Sequence, residues 1–500
     1  MRFTSLHFFV FMGIMMLGLL VLRKREQKIL WLLAGGIFFY GYWDWRPLAL
    51  IGFTSVFDFW MGLQIDKAEG KRRRLLVTID IAVNLSILIV FKYFNFFIDS
   101  SNFFFENIIG IEKYHLRNLE IILPIGISFF VFEAMSYCID IYRGTLKPYT
   151  NWRHFALFIF FFPRMIAGPI IRPADFLPQL EREIVLRWPN IVAGGQMFLL
   201  GMTKKLVIAD HLAGPVDLVF SHPQNYSPML IWQAVIAYSI QIFCDFSGYS
   251  DMAIGTAKML GFDLPVNFNL PYIATNISDF WRRWHISLSS WLRDYLYIPL
   301  GGNRKGEART YLNLLLTMAL GGLWHGASWN FVLWGVWHGL GLGAVRLWKH
   351  VRHVRAGAAL ATSAPLQNVA APQLVGQNVA AAAKARAHPL LSATSWALTY
   401  LFVCVGWVFF RAQNEVDALH CLRKMFGLAD GGLLWVSGWL CVIVPVFVAS
   451  HALALWWQRR GISPQLQLHR TRDLVLLFSW LLGLFYLSSA TAEPFIYFQF

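Results

Sequence analysis

Leu314 to Trp337 reads LLLTMALGGLWHGASWNFVLWGVW, and His325 is its one ionisable side chain. An apolar run of this length is read as membrane-spanning helix. His325 lies 16 residues beyond the basic loop at Arg309. As continuous helix that is about 24 Å, which sets the imidazole deep in the bilayer. Gly321, Gly322 and Gly326 surround it and permit close backbone approach or a break. An ionisable side chain at that depth is costly and marks a functional site. The plainer reading is a structural histidine satisfied by a neighbouring carbonyl. His338 needs only that reading, since it is nearer the basic cluster at Arg346.

The rest of the chain is equally apolar. Of its 500 residues 57% are hydrophobic, 16% aromatic and only 14% charged. Soluble domains carry about 25% charged residues, so lipid is the more natural solvent. Phe8 to Leu22, Leu75 to Val90, Ile231 to Phe243, Trp396 to Phe410, Leu433 to Leu455 and Leu474 to Leu487 are the clearest further runs. The first lacks a small-residue cleavage site and is read as a retained helix. The net charge is +15. Its basic residues sit mostly in short loops between apolar runs, a pattern that sets orientation and argues against nucleic-acid binding. The five cysteines show no metal-like spacing and read as buried small hydrophobes; no metal is expected.

Basic clusters at Arg23–Lys28, Lys67–Arg74, Arg143–Arg153, Arg304–Arg309, Arg346–Arg355 and Arg459–Arg472 can all face the cytoplasm. Both termini are then extracytoplasmic. From Ala356 to Pro389 the chain is Ala-rich, with QNVAA starting at Gln367 and again at Gln377. It reads as a flexible cytoplasmic linker. The expected organisation is a transmembrane core over residues 1–350, a linker over 351–392 and C-terminal transmembrane helices over 393–500.

Three segments do not behave as plain spanning helices. Phe161 to Gln179, FFPRMIAGPIIRPADFLPQ, carries four prolines and two arginines. It is either a re-entrant element, which must be lined by protein or a water-filled cavity, or an interfacial loop. Cys244 to Met252, CDFSGYSDM, sets Asp245 and Asp251 after an apolar run, and Asp245 is expected to face a cavity. Asn276 to Asn303 interleaves Asp279, Arg282, Arg283, His285 and Arg293 with Trp281, Trp284, Trp291 and Tyr295. Asp279 and Arg283, four apart, can pair. The residues favour an amphipathic interfacial helix; the sharper alternative is a polar lining for an anionic donor.

Taken together these stretches resemble the membrane-bound O-acyltransferase superfamily, and most closely its bacterial branch of alginate O-acetyltransferase membrane subunits. The matching stretches are Pro124 to Gly144, Phe161 to Ile170, Cys244 to Ala253, NFNLPY (Asn267 to Tyr272), Asp279 to Arg304, Gly321 to Gly339 and Pro494 to Phe500. The resemblance implies an all-α polytopic fold, a helical ring with broken or re-entrant helices around a central tunnel. It makes His325 the key intramembrane histidine, with His285 as its upstream companion near the cytoplasmic end of the tunnel. Asp279, Arg282, Arg283, Trp324 and Asp245 become candidates for lining the donor path. It implies acetyl-CoA as donor and no bound cofactor. It also implies an inner-membrane location, a periplasmic hydrolase-like (SGNH-type) partner and a polysaccharide export machinery. Alginate is the favoured acceptor, with peptidoglycan, cellulose or another exopolysaccharide as alternatives and D-alanyl transfer to teichoic acid more distant. A transporter also uses broken helices and buried charges, but no inverted repeat is visible.

Overall fold

A computed structural model describes every residue except 112–114, 364–388, 436–437, 490–492 and 497–500. The described residues form helices joined by short loops and contain no β-strand. In chain order the first are α1 (Leu6–Val21), α2 (Arg25–Gly41), α3 (Leu48–Lys67), α4 (Gly70–Leu88), α5 (Phe94–Phe104), α6 (Ile127–Arg143) and α7 (Trp152–Phe160). After the short α8 (Pro173–Phe176) come α9 (Trp188–Met202), α10 (Asp210–Ser221), α11 (Pro228–Met259), α12 (Ile277–Arg283) and α13 (Ile286–Leu292). The remainder are α14 (Glu307–His325), α15 (Trp329–Ser363), α16 (Pro389–Arg411), α17 (Glu415–Met425), α18 (Gly438–Arg460) and α19 (Thr471–Leu487).

Six helical stretches among the described residues are long and apolar enough to cross a membrane. Their outer faces expose large apolar side chains, such as Phe53, Trp60 and Val446, and the shorter α1 and α19 likewise expose Val10, Leu20 and Phe485. Lipid, which is as apolar as these side chains, is the solvent that tolerates them. The chain is thus a multi-pass membrane protein. The expected first helix is present and packs on α2, where the Trp31 indole donates to the Met15 carbonyl at 3.1 Å.

Local sequence sets the breaks. Pro228 opens α11 at its first position, behind Ser227, whose hydroxyl accepts from Leu230 N–H. Gly144 ends α6 with φ +75°, the left-handed region that glycine enters freely. Ile89–Tyr93 forms a single π-helical turn between α4 and α5, so one continuous stretch runs from Gly70 to Ile109. α14 and α15 form a tight hairpin because glycines remove side chains from their contact. A Cβ on Gly322 would lie 2.1 Å from the Phe331 carbonyl oxygen, and one on Gly335 2.2 Å from that of Met318.

The segment from Phe161 to Ile171 is irregular yet buried throughout. It is therefore an interior element lined by protein, as the broken-element reading required. Arg164 forms an ion pair with Glu133 of α6 and donates to the Phe158 carbonyl. Ile171 N–H donates to Glu133 Oε1 at 3.3 Å, and Ile170 N–H to Ser287 Oγ at 3.0 Å. The expected linker falls largely outside the described residues, including both QNVAA copies. α15 nevertheless runs on to Ser363, past the expected boundary at 351, through a stretch rich in the good helix formers Ala and Arg.

Candidate active site

His325 is the last residue of α14, and the chain turns extended at Gly326, where φ is −157°. The last four carbonyls of a helix lack partners of their own. Here the π-turn beneath α5 supplies donors. Lys92 Nζ reaches the Trp324 carbonyl at 2.6 Å, that of His325 at 3.1 Å and Ser128 Oγ at 3.4 Å. Tyr93 donates its hydroxyl to the Leu323 carbonyl at 3.1 Å. An ammonium has three N–H donors, and all three are used. Its charge also opposes the negative end of the helix dipole.

Aromatic rings enclose the imidazole. Its centroid lies 5.0 Å from Trp324, 5.0 Å from Trp334 and 5.3 Å from Phe410. The His285 ring is 6.4 Å away. His285 is completely buried and joins α12 to α13 at φ +42°, ψ +56°. Left-handed backbone is uncommon for a residue with a side chain, and such strain gathers at functional sites. It turns the imidazole inward while the chain reverses. Asn267 fixes the ring: its Oδ1 accepts from Ser287 N–H at 3.2 Å and from the Ser287 hydroxyl at 2.9 Å, and lies 3.2 Å from His285 Nδ1. The Asn267 amide nitrogen is satisfied separately, 3.3 Å from Ser250 Oγ. An acceptor facing Nδ1 requires Nδ1 to carry the proton. Nε2, buried without a partner among the described residues, then presents a lone pair.

A cavity of about 370 Å³ opens toward the basic residues Arg293, Arg346 and Lys349, with Leu292, Thr317 and Met318 along its wall. Trp281 also lines it. The Trp281 indole donates to His338 Nδ1 at 3.3 Å. The His338 ring lies 4.9 Å from Trp334, which itself touches His325. A continuous row of buried rings thus joins the cavity to the histidine pair.

The other expected site residues are placed more variously. Trp324 meets the pair edge-on, 5.0 Å from His325 and 6.1 Å from His285. Asp279 pairs with Arg283 at 3.0 Å, as their spacing predicted, but neither they nor Arg282 line this cavity. Asp245 forms an ion pair with Lys205 at 2.6 Å and accepts from Ile496 N–H at 2.7 Å, so it anchors the C-terminal segment. The segment from Asn276 is not an interfacial helix. Phe280, Trp281, Trp284, His285 and Trp291 are buried, because their rings fill the interior against Trp407 and Phe132. Nor does His285 stand apart near one end: it is buried beside His325. The sequence reading passed over Asn267 and Lys92. Lys92 is a lone lysine in an apolar run, the same signal that singled out His325.

Residues 148–372 match the model of the membrane-bound O-acyltransferase family. The chain is 37% identical to the probable alginate O-acetylase AlgI of Pseudomonas putida, over 99% of both chains. It is 35% identical to the peptidoglycan O-acetyltransferase of Helicobacter pylori, over 87% of this chain and 81% of that one. Against the teichoic acid D-alanyltransferase of Streptococcus thermophilus the identity is 31%, over 44% of this chain and 55% of the relative. The two histidines, the hairpin that carries His325 and the cavity joined to them through packed rings therefore lie in an acyltransferase that uses an acyl donor: the chain belongs to the membrane-bound O-acyltransferase family.

Proposed function

We propose that this acyltransferase moves an acetyl group from cytoplasmic acetyl-CoA, past His325 and His285, toward an exported polysaccharide, with alginate the favoured acceptor. The observation that carries this reading is the row of buried rings from the basic-rimmed cavity to the histidine pair. Arg293, Arg346 and Lys349 suit the phosphates of a coenzyme A donor. The apolar wall suits its thioester arm. The names of the Pseudomonas and Helicobacter relatives support a glycan acceptor and leave peptidoglycan as the second reading.

An acceptor hydroxyl is a weak nucleophile and needs a base within about 2.6–3.2 Å. His325 takes the hydroxyl proton as the oxygen attacks the thioester carbonyl. The C–S bond breaks, and the proton passes to the departing thiolate. His285, with Nε2 aimed into the interior, orients or polarises the acetyl group. The acetyl ester leaves on that acceptor oxygen, and a periplasmic hydrolase-like partner of the inner-membrane export system then moves it to a sugar hydroxyl, breaking the ester and restoring the acceptor's hydroxyl. Residues 351–392 act as a dispensable cytoplasmic connection between the core and the C-terminal helices.

Inverted membrane vesicles given radiolabelled acetyl-CoA should release coenzyme A and pass label to acceptor. Arg346→Glu combined with Lys349→Glu should raise KM for acetyl-CoA about tenfold or more, a change of roughly 1.4 kcal/mol or above. An unchanged KM would remove this cavity from the donor path.

A further inference from the structure

Away from the histidine pair, three helices bring Asp58 of α3, Asp80 of α4 and Cys138 of α6 together. Their ligand atoms all lie within 4.8 Å of one another. All three residues are completely buried. Asp58 and Asp80 belong to stretches long and apolar enough to span a membrane. Both Asp80 oxygens and Asp58 Oδ2 meet no N–H donor among the described residues; their polar neighbours are each other and the Cys138 thiol. The remaining oxygen, Asp58 Oδ1, accepts from Asn84 Nδ2 at 2.7 Å. Carboxylates in hydrocarbon demand a counter-charge or a proton.

A second observation points to a ligand. Asn84 is itself fully buried, its carboxamide touches Asp58, and its Oδ1 has no partner. Ser55, one turn before Asp58 on the same helix, holds another buried hydroxyl without a partner. The Cys138 thiol is 3.3 Å from the Asp58 carbonyl oxygen. Two carboxylates and a sulfur therefore converge from three helices, with the Asn84 amide nitrogen against Asp58.

We propose that Asp58, Asp80 and Cys138 bind one divalent transition-metal ion of the zinc class, with Asn84 holding Asp58 in place. Two carboxylates balance a double positive charge, and the Asn84 amide N–H groups, 2.7 Å from Asp58 and 3.1 Å from the Asp80 carbonyl oxygen, face the one negative charge that the thiolate adds. Calcium takes about six to eight oxygens, and magnesium usually keeps several waters, neither of which this dry site supplies. A four-coordinate ion that accepts both oxygen and sulfur fits the donor set. Coordination through sulfur releases the thiol proton to solvent. The ion would staple α3, α4 and α6. α6 also carries Glu133, which holds the re-entrant segment beside the acyl-transfer site. Sequence spacing could not show this site, because its ligands are dispersed over 80 positions of the chain.

The test uses the full-length chain purified in detergent. Elemental analysis after zinc supplementation and desalting should find about one zinc per chain, and Asp80→Asn should lose most of it. Cobalt-loaded wild-type chain should show a sulfur-to-cobalt charge-transfer band in the near ultraviolet, absent from Cys138→Ser. The wild-type band stands as evidence even if a variant fails to fold. Wild-type chain that retains no stoichiometric zinc, or binds cobalt without the sulfur band, would overturn the proposal. Asp80→Asn that melts above wild type in the presence of zinc would overturn it too, because the two carboxyls would then be sharing a proton.

Discussion

At the scale of single residues, the site depends on how its histidines are held. The three Lys92 hydrogen bonds close the helix end that carries His325. Lys92→Met should leave those carbonyls unpaired, at about 1–3 kcal/mol each where no water replaces the donor. A displacement of about 1 Å can cost roughly 10²-fold in rate. Acetyl-transfer assays on Lys92→Met should therefore show kcat down by about 10–100-fold with KM for acetyl-CoA little changed. A normal kcat would show that Lys92 only fills space. The burial of His325 was legible from sequence because one ionisable residue stood in an apolar run. The role of Asn267 was not, because it depends on a hydrogen bond spanning 18 residues and on a strained backbone at His285. Asp245 illustrates the opposite limit. Its burial was legible, but its partners Lys205 and Ile496 are distant in the chain and decide what it does.

At the scale of elements, glycine placement shapes the hairpin of α14 and α15. Any side chain at Gly322 meets the Phe331 backbone, which cannot move aside as a flexible side chain would. Overpacking of this kind costs about 1–3 kcal/mol. Gly322→Ala should lower the melting temperature of the detergent-purified chain and reduce acetyl transfer, because His325 sits one turn further along α14. An unchanged melting temperature would mean that the helices separate freely. The glycines announced this close approach in the sequence. The re-entrant segment was half legible: its prolines interrupted a spanning helix, but its burial and the Glu133–Arg164 pair are what distinguish an interior element from an interfacial loop. The aromatic-rich segment from Asn276 misled for a physical reason. Rings beside arginines suit a membrane interface, and they equally suit a core wall whose charged neighbours point outward.

At the scale of the whole molecule, the basic loops meet one another. Arg73 donates to the Ile141 carbonyl at 2.8 Å, and Arg143 to that of Asp294 at 3.0 Å. Arg283 and Gln458 both bind Asn269. Loops remote in sequence thus share a face, which supports the orientation proposed from charge. Single cysteines introduced at Lys71, Lys305 and Arg459 should resist impermeant reagents in intact cells; strong labelling at position 305 would reverse the orientation. The central claim is that acetyl crosses this fold by way of His325. General-base help is worth roughly 10²–10⁴-fold. The most direct measurement is the acetyl content of the exported polymer in cells carrying His325→Ala at wild-type membrane abundance. The expected result is near-complete loss of acetyl groups, and polymer acetylated to the wild-type level would contradict the account.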